Sequence, residues 1–148
     1  MTSIPLSATL PGTWQLLSRI DASASGERLL ESSLGEDPIA LLIYDRSGHF
    51  AAQFMRRDRS VDVPDGPTGA KNNSRAQGGY DAYFGTYSTD DHNGTVTQTL
   101  LGSLSREHVG VVLTRAVDVQ GDTLVIRLET STADGTVVAR TLTWRRVG

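Results

Sequence analysis

The chain has 148 residues, carries 14 Lys and Arg against 17 Asp and Glu for a net charge of −3, and contains no cysteine. That length fits one domain, residues 1–148, with a core large enough to fold without staples. The missing thiols exclude disulfides, thiolate metal sites and cysteine nucleophiles, and the slight acidity speaks against nucleic acid, whose phosphates call for a basic face.

The first fourteen residues, MTSIPLSATLPGTW, have neither a basic leader region nor a continuous apolar segment. No later run approaches the roughly 20 apolar residues that a membrane helix needs. The expectation is therefore a cytoplasmic protein without a membrane partner. From Thr13 onward the dominant signal is period two broken by turns, which identifies an all-β chain. A first strand is expected over Thr13–Ile20, with Trp14 and Leu16 on one face and Thr13, Gln15 and Leu17 on the other. Ile39–Tyr44 follows an acidic turn at Gly35-Glu36-Asp37-Pro38 and reads as a nearly all-apolar strand. Asp45-Arg46-Ser47-Gly48 then forms a tight hairpin into His49–Arg56, since glycine readily takes positive φ.

The segment Ser60–Gly79 breaks the pattern, with two prolines, several glycines and two asparagines. A long irregular loop or lid is expected there, ending in a short helical turn near Ser74–Ala82 that Gly78 and Gly79 weaken. Strands resume at Tyr83–Ser88, Thr95–Leu101, Val111–Val119, Leu124–Glu129 and Thr136–Arg145. They are linked by Asp91-His92-Asn93-Gly94, Gln120-Gly121-Asp122 and Ala133-Asp134-Gly135, all with hairpin chemistry. So long a meander leaves exposed edges unless it closes. A single antiparallel up-and-down β-barrel of about eight to nine strands with an interior is the economical solution.

Several motifs, in order along the chain, carry a family resemblance. They are Gly12-Thr13-Trp14-Gln15-Leu16-Leu17-Ser18, Asp37-Pro38, Leu42-Ile43-Tyr44 with Ser47-Gly48, and Ala52-Gln53-Phe54-Met55-Arg56 with Asp58-Arg59. Further on come Tyr83 to Tyr87, Gly94 to Thr97, Gly110 with Arg115, and Trp144-Arg145. Together they resemble the bacterial and fungal lipocalin-like domain family. The resemblance implies a lipocalin-like barrel with a central cavity, and some fungal relatives sit among biosynthetic isomerases and cyclases. It also implies that Trp14 plugs one end of the barrel with Arg145 or Arg146 across its ring. The chain departs from the family at Gln98 and Thr99, where a histidine pair is common, and this argues against an imidazole base or ligand at that place.

Arg115 is the sharpest anomaly, because alternation sets it on the apolar face of its strand with Val111, Leu113, Val117 and Val119. A buried guanidinium cannot deprotonate, so it must be paired or reach water. Two readings stand: a salt bridge to Asp81, Asp90 or Glu129 or a capped barrel mouth, or a cavity cation that binds a ligand's carboxylate, enolate or phenolate oxygen. Gln53, Met55, Gln98, Tyr44, Tyr83 and Tyr87 are the other candidates for the lining; the sequence does not decide whether Gln53 and Met55 or Phe50, Ala52 and Phe54 face inward. His49, His92 and His108 are too scattered for a metal site, and no phosphate loop or nucleophile elbow occurs.

No metal or cofactor is therefore expected. Three functions fit: a binding protein for a small apolar molecule, with a carboxylate or phenol suiting Arg115; a cofactor-independent isomerase, cyclase or lyase in the same cavity, drawing an acid or base from Tyr83, Tyr87 or an aspartate; or a filled barrel whose outer surface meets a partner or forms a homodimer. The first is preferred.

Overall fold

The computed structural model describes residues 4–60, 62–132 and 134–148. Its strands are β1 (Gly12–Ala22), β2 (Arg28–Leu29), β3 (Ile39–Tyr44), β4 (His49–Met55), β5 (Tyr80–Asp90), β6 (Thr95–Ser103), β7 (Val112–Gln120), β8 (Thr123–Ser131) and β9 (Val137–Arg146). Sequential strands pair antiparallel from β3 to β9, and β1 pairs with both β3 and β9. Eight strands thus close into a barrel, while β2 adds two residues beside the far end of β1. Among the described residues no helix is long and apolar enough to cross a membrane.

Two features differ from expectation. No helical turn forms over 74–82: Gly78 (φ 60°) and Gly79 (φ 77°) adopt left-handed backbone, Gln77 bridges Tyr80, and β5 has already begun there. A short helix α1 (Leu6–Thr9) precedes the barrel instead, started by Pro5 with φ −65° and ended before Pro11. Ala133, in the expected β8–β9 turn, Val61, in the long loop, and residues 1–3 lie outside the described residues.

Alternation fills the interior with Leu42 and Tyr44 of β3, Phe50, Ala52 and Phe54 of β4, Val96 and Leu100 of β6, Leu113 of β7, and Leu124 and Ile126 of β8. Two bulges bend the wall. One is at Leu17, the extra residue between the pairs Leu16–Trp144 and Ser18–Thr143. The other lies opposite Gly85, where a Cβ would land on the Thr99 carbonyl of β6, so only glycine lets the two backbones approach.

The two ends differ. At one, fully buried Trp14 donates its indole N–H to the Leu10 carbonyl at 3.0 Å, and the Arg146 guanidinium lies 4.2 Å from its ring centroid. Arg146 also donates to the carbonyls of Thr9 and Pro11, passing so close to Gly12 that a side chain there would strike it. This contact, worth about 0.5–2 kcal/mol beyond burial, and α1 seal that end. The other end is covered by the β1–β3 connection and by loop residues 65–76.

Candidate functional site

Between the plug and these loops lies a cavity of about 300 Å³. Its apolar wall includes Leu42, Phe54, Ile126, Leu142 and Trp144, and residues of both covering segments, among them Glu31, Leu34, Ser74 and Ala76, close it over. Three guanidiniums, those of Arg19, Arg115 and Arg140, also line it. Each comes from a different strand, and each meets a different fate.

Arg140 sits opposite Asp21 in the β1–β9 register and holds it bidentately, Nε to Oδ1 at 2.8 Å and Nη2 to Oδ2 at 3.0 Å. Arg19 pairs with Glu31 at 3.1 Å. Burial alone would raise the Glu31 carboxyl, yet Arg19, the Ser33 hydroxyl and the backbone N–H groups of Ser33 and Leu34 bring it below the usual range. The bulge at Leu17 makes both pairs possible: unbroken alternation from Trp14 and Leu16 would send Ile20 inward, whereas beyond the bulge Arg19 and Asp21 are buried and Ile20 is exposed.

Arg115 is only 4% exposed, yet among the described residues it forms no salt bridge. The expected pairing with Asp81, Asp90 or Glu129 is thus corrected. Asp90 is occupied by Asn93 and the His92 N–H in the β5–β6 turn, and Glu129 is exposed. Instead, Nη1 donates to the Asn72 carbonyl at 2.7 Å and to the Thr114 carbonyl at 3.4 Å. Asn72, at φ 57°, is clamped across two strands: its side chain accepts from the Thr114 N–H at 3.1 Å and donates to the Glu129 carbonyl. Burial presses the Arg115 pKa down, Arg140 adds to this, and the Tyr83 and Tyr44 phenols oppose it.

Of the other candidates, Tyr83 and Gln98 line the cavity with Arg115. Tyr44 stands just behind them, fully buried, its hydroxyl accepting from Gln98 Nε2 at 2.6 Å; burial pushes its ionisation up, which keeps the phenol neutral. Tyr87 packs edge-on against Tyr44 with ring centroids 4.8 Å apart and turns its hydroxyl to the Asp45 carbonyl, away from the cavity. Gln53 and Met55 lie on the outer face of β4, where Gln53 accepts from the Tyr80 hydroxyl, while Phe50, Ala52 and Phe54 face inward.

Sequence reasoning passed over Arg140, although it breaks an apolar alternation of Val138, Leu142 and Trp144 just as Arg115 breaks its own. Arg19 and Asp21 had no such signal, because the bulge that turns them inward leaves no mark in the alternation. Asp81, two residues before Tyr83 on the same face of β5, is 4% exposed and borders the cavity. Its Oδ2 accepts from the Ser74 hydroxyl, while Oδ1 has no partner among the described residues.

A family model described as a lipocalin-like domain matches residues 11–147. The chain belongs to the lipocalin-like domain family. Its closed barrel, one-ended plug and central cavity fit the binding of small hydrophobic ligands. No curated protein matches the chain significantly.

Proposed function

We propose that the protein binds a small apolar molecule in the barrel and that Arg115 holds an anionic oxygen of that molecule. The observation that carries this reading is a 4%-exposed guanidinium in the cavity wall that meets two backbone carbonyls and the neutral Tyr83 phenol but, among the described residues, no carboxylate. A structural arginine at that depth is ordinarily matched by a carboxylate, as Arg140 is by Asp21. A ligand anion would supply the missing charge, and the apolar wall the remaining affinity. Gln98, Thr130 and Trp144 also line the cavity, and each carries a buried polar atom without a partner among the described residues, so a modest side-chain shift would let them orient polar groups on the ligand.

Calorimetric titration with decanoate and 1-decanol tests this. Decanoate is expected to bind more tightly than the alcohol, and Arg115→Met to weaken decanoate by about tenfold to a hundredfold while leaving decanol nearly unchanged. Equal affinities for acid and alcohol in the native protein would refute an anion site.

A further inference from the structure

The charges of the cavity are unevenly settled. Arg19 and Arg140 each have a carboxylate, but Arg115 and Asp81 are left over, and no salt bridge joins them. Asp81 is as deeply buried as Arg115, and burial alone holds its carboxyl above the usual aspartate range, against the Ser74 hydroxyl, the Ala82 N–H, His108 and Arg19. A serine or asparagine would satisfy Ser74 without the desolvation cost of a carboxylate. Tyr83 stands within electrostatic reach of both groups: Arg115 favours ionisation of its phenol and Asp81 opposes it. The cavity wall therefore holds a carboxyl, one oxygen of which is buried without a partner among the described residues, at one place and a cation at another, with room for a ligand between the covering loops and the plug.

We infer that Asp81 is a general base that shifts a proton on an apolar carbonyl ligand whose oxygen is held by Arg115. The inference rests on the binding reading above and names the ligand oxygen as a carbonyl that becomes anionic during the reaction. The Asp81 carboxylate takes a proton from the carbon next to the carbonyl; the C–H electron pair forms the C=C bond of an enolate, and the carbonyl π pair moves onto the oxygen beside the guanidinium. Asp81, now a carboxylic acid, returns the proton to the same carbon or to a conjugated one. Nothing is oxidised or reduced, and no co-reactant enters. Stabilising charge as it develops on that oxygen, beside a base whose proton affinity burial raises above that of an ordinary aspartate, is the combination that speeds enolisation.

The test is exchange of the α-protons of phenylacetone in D2O, followed by proton NMR with the intact protein. Exchange is expected about a hundredfold faster than in buffer alone, lost in Asp81→Asn and reduced in Arg115→Met. The rate should rise with pH as Asp81 ionises, with an inflection above the usual aspartate range. Asp81 is faced by Arg19 from β1, Ser74 from the loop, Tyr83 from β5 and His108 from the 3-10 turn at Arg106–His108. Because the Ser74 hydrogen bond favours the carboxylate, Ser74→Ala should move that inflection upward, a second variant that leaves the base in place. An intact cavity is checked by decanoate binding in the Asp81 and Ser74 variants and by 1-decanol binding in Arg115→Met. Exchange at the buffer rate despite bound phenylacetone, or undiminished exchange in Asp81→Asn, would overturn the inference and spare the binding reading. The same holds if phenylacetone fails to bind where decanoate binds. If neither binds, the binding reading falls, and this inference with it.

Discussion

Arg115 and Arg140 each interrupt an apolar alternation on an inward face, and one atom-level difference separates them. Arg140 closes a bidentate pair with Asp21, whereas Arg115 finds neutral partners and, among the described residues, no carboxylate. Removing Asp21 would strand a buried cation, so Asp21→Ala is expected to lower stability by about 3–5 kcal/mol, measured by urea unfolding; a loss under 1 kcal/mol would mean that water already solvates that pair. Asp81 has the opposite signature. Burial raises its pKa in the native state, so between the ordinary aspartate value of about 3.9 and the raised one the native state holds more protons than the unfolded chain, and stability falls as pH rises through that window. Asp81→Asn removes that slope. Its stability relative to the native protein should therefore grow as pH rises through the window and level off above it, as denaturant midpoints at several pH values would reveal; parallel curves would show that the carboxyl is not desolvated.

At the scale of elements, the chemistry of the cavity depends on irregularities more than on strands. The bulge at Leu17 exchanges Ile20 for Arg19 and Asp21 on the inner face of β1, and so creates both ion pairs at the mouth. Deleting Leu17 makes Leu16 and Ser18 successive residues opposite Trp144 and Thr143, which removes the bulge but keeps Arg19 and Asp21 on the inner face and Asp21 opposite Arg140. The ion pair should survive, so the loss in chemical unfolding is expected to stay well below the roughly 3–5 kcal/mol that stranding the Arg140 cation would cost; a loss of that size would show that Asp21 had turned outward. The 72–74 stretch works in the same way from outside the barrel, since the Asn72 carbonyl, the Asn73 side chain and the Ser74 hydroxyl reach Arg115, Arg140 and Asp81 respectively. None of this was legible beforehand. The strands were, because turn residues such as Asp45 to Gly48 and Asp91 to Gly94 punctuate a period of two, and β3 runs from Ile39 to Tyr44 as expected. A bulge adds one residue without changing composition, and a loop's contacts depend on where its ends are held, which local pattern does not encode.

For the whole molecule, the consequence is a barrel with a sealed end and a working end. Trp14, Arg146 and α1 plug one side, while the loops at the other bring polar groups over a cavity whose wall is otherwise apolar. Family resemblance in the sequence anticipated the plug; of the three cavity arginines it marked only Arg115, because Arg19 and Arg140 lie in none of the shared motifs. Of the anticipated lining residues, Arg115, Tyr83 and Gln98 meet at the cavity, and the tyrosines and β4 residues outside it show how little a one-residue change of face can be judged without a partner strand. The fold therefore provides an enclosed chamber, and on the proposed reading the unmatched charges within it select the ligand. The crystal structure of the protein with decanoate bears on this most directly. The carboxylate should lie within hydrogen-bonding distance of the Arg115 guanidinium with the chain against Leu42, Phe54 and Trp144; decanoate seated only on the outer wall, or inside with its carboxylate turned away from Arg115, would contradict it.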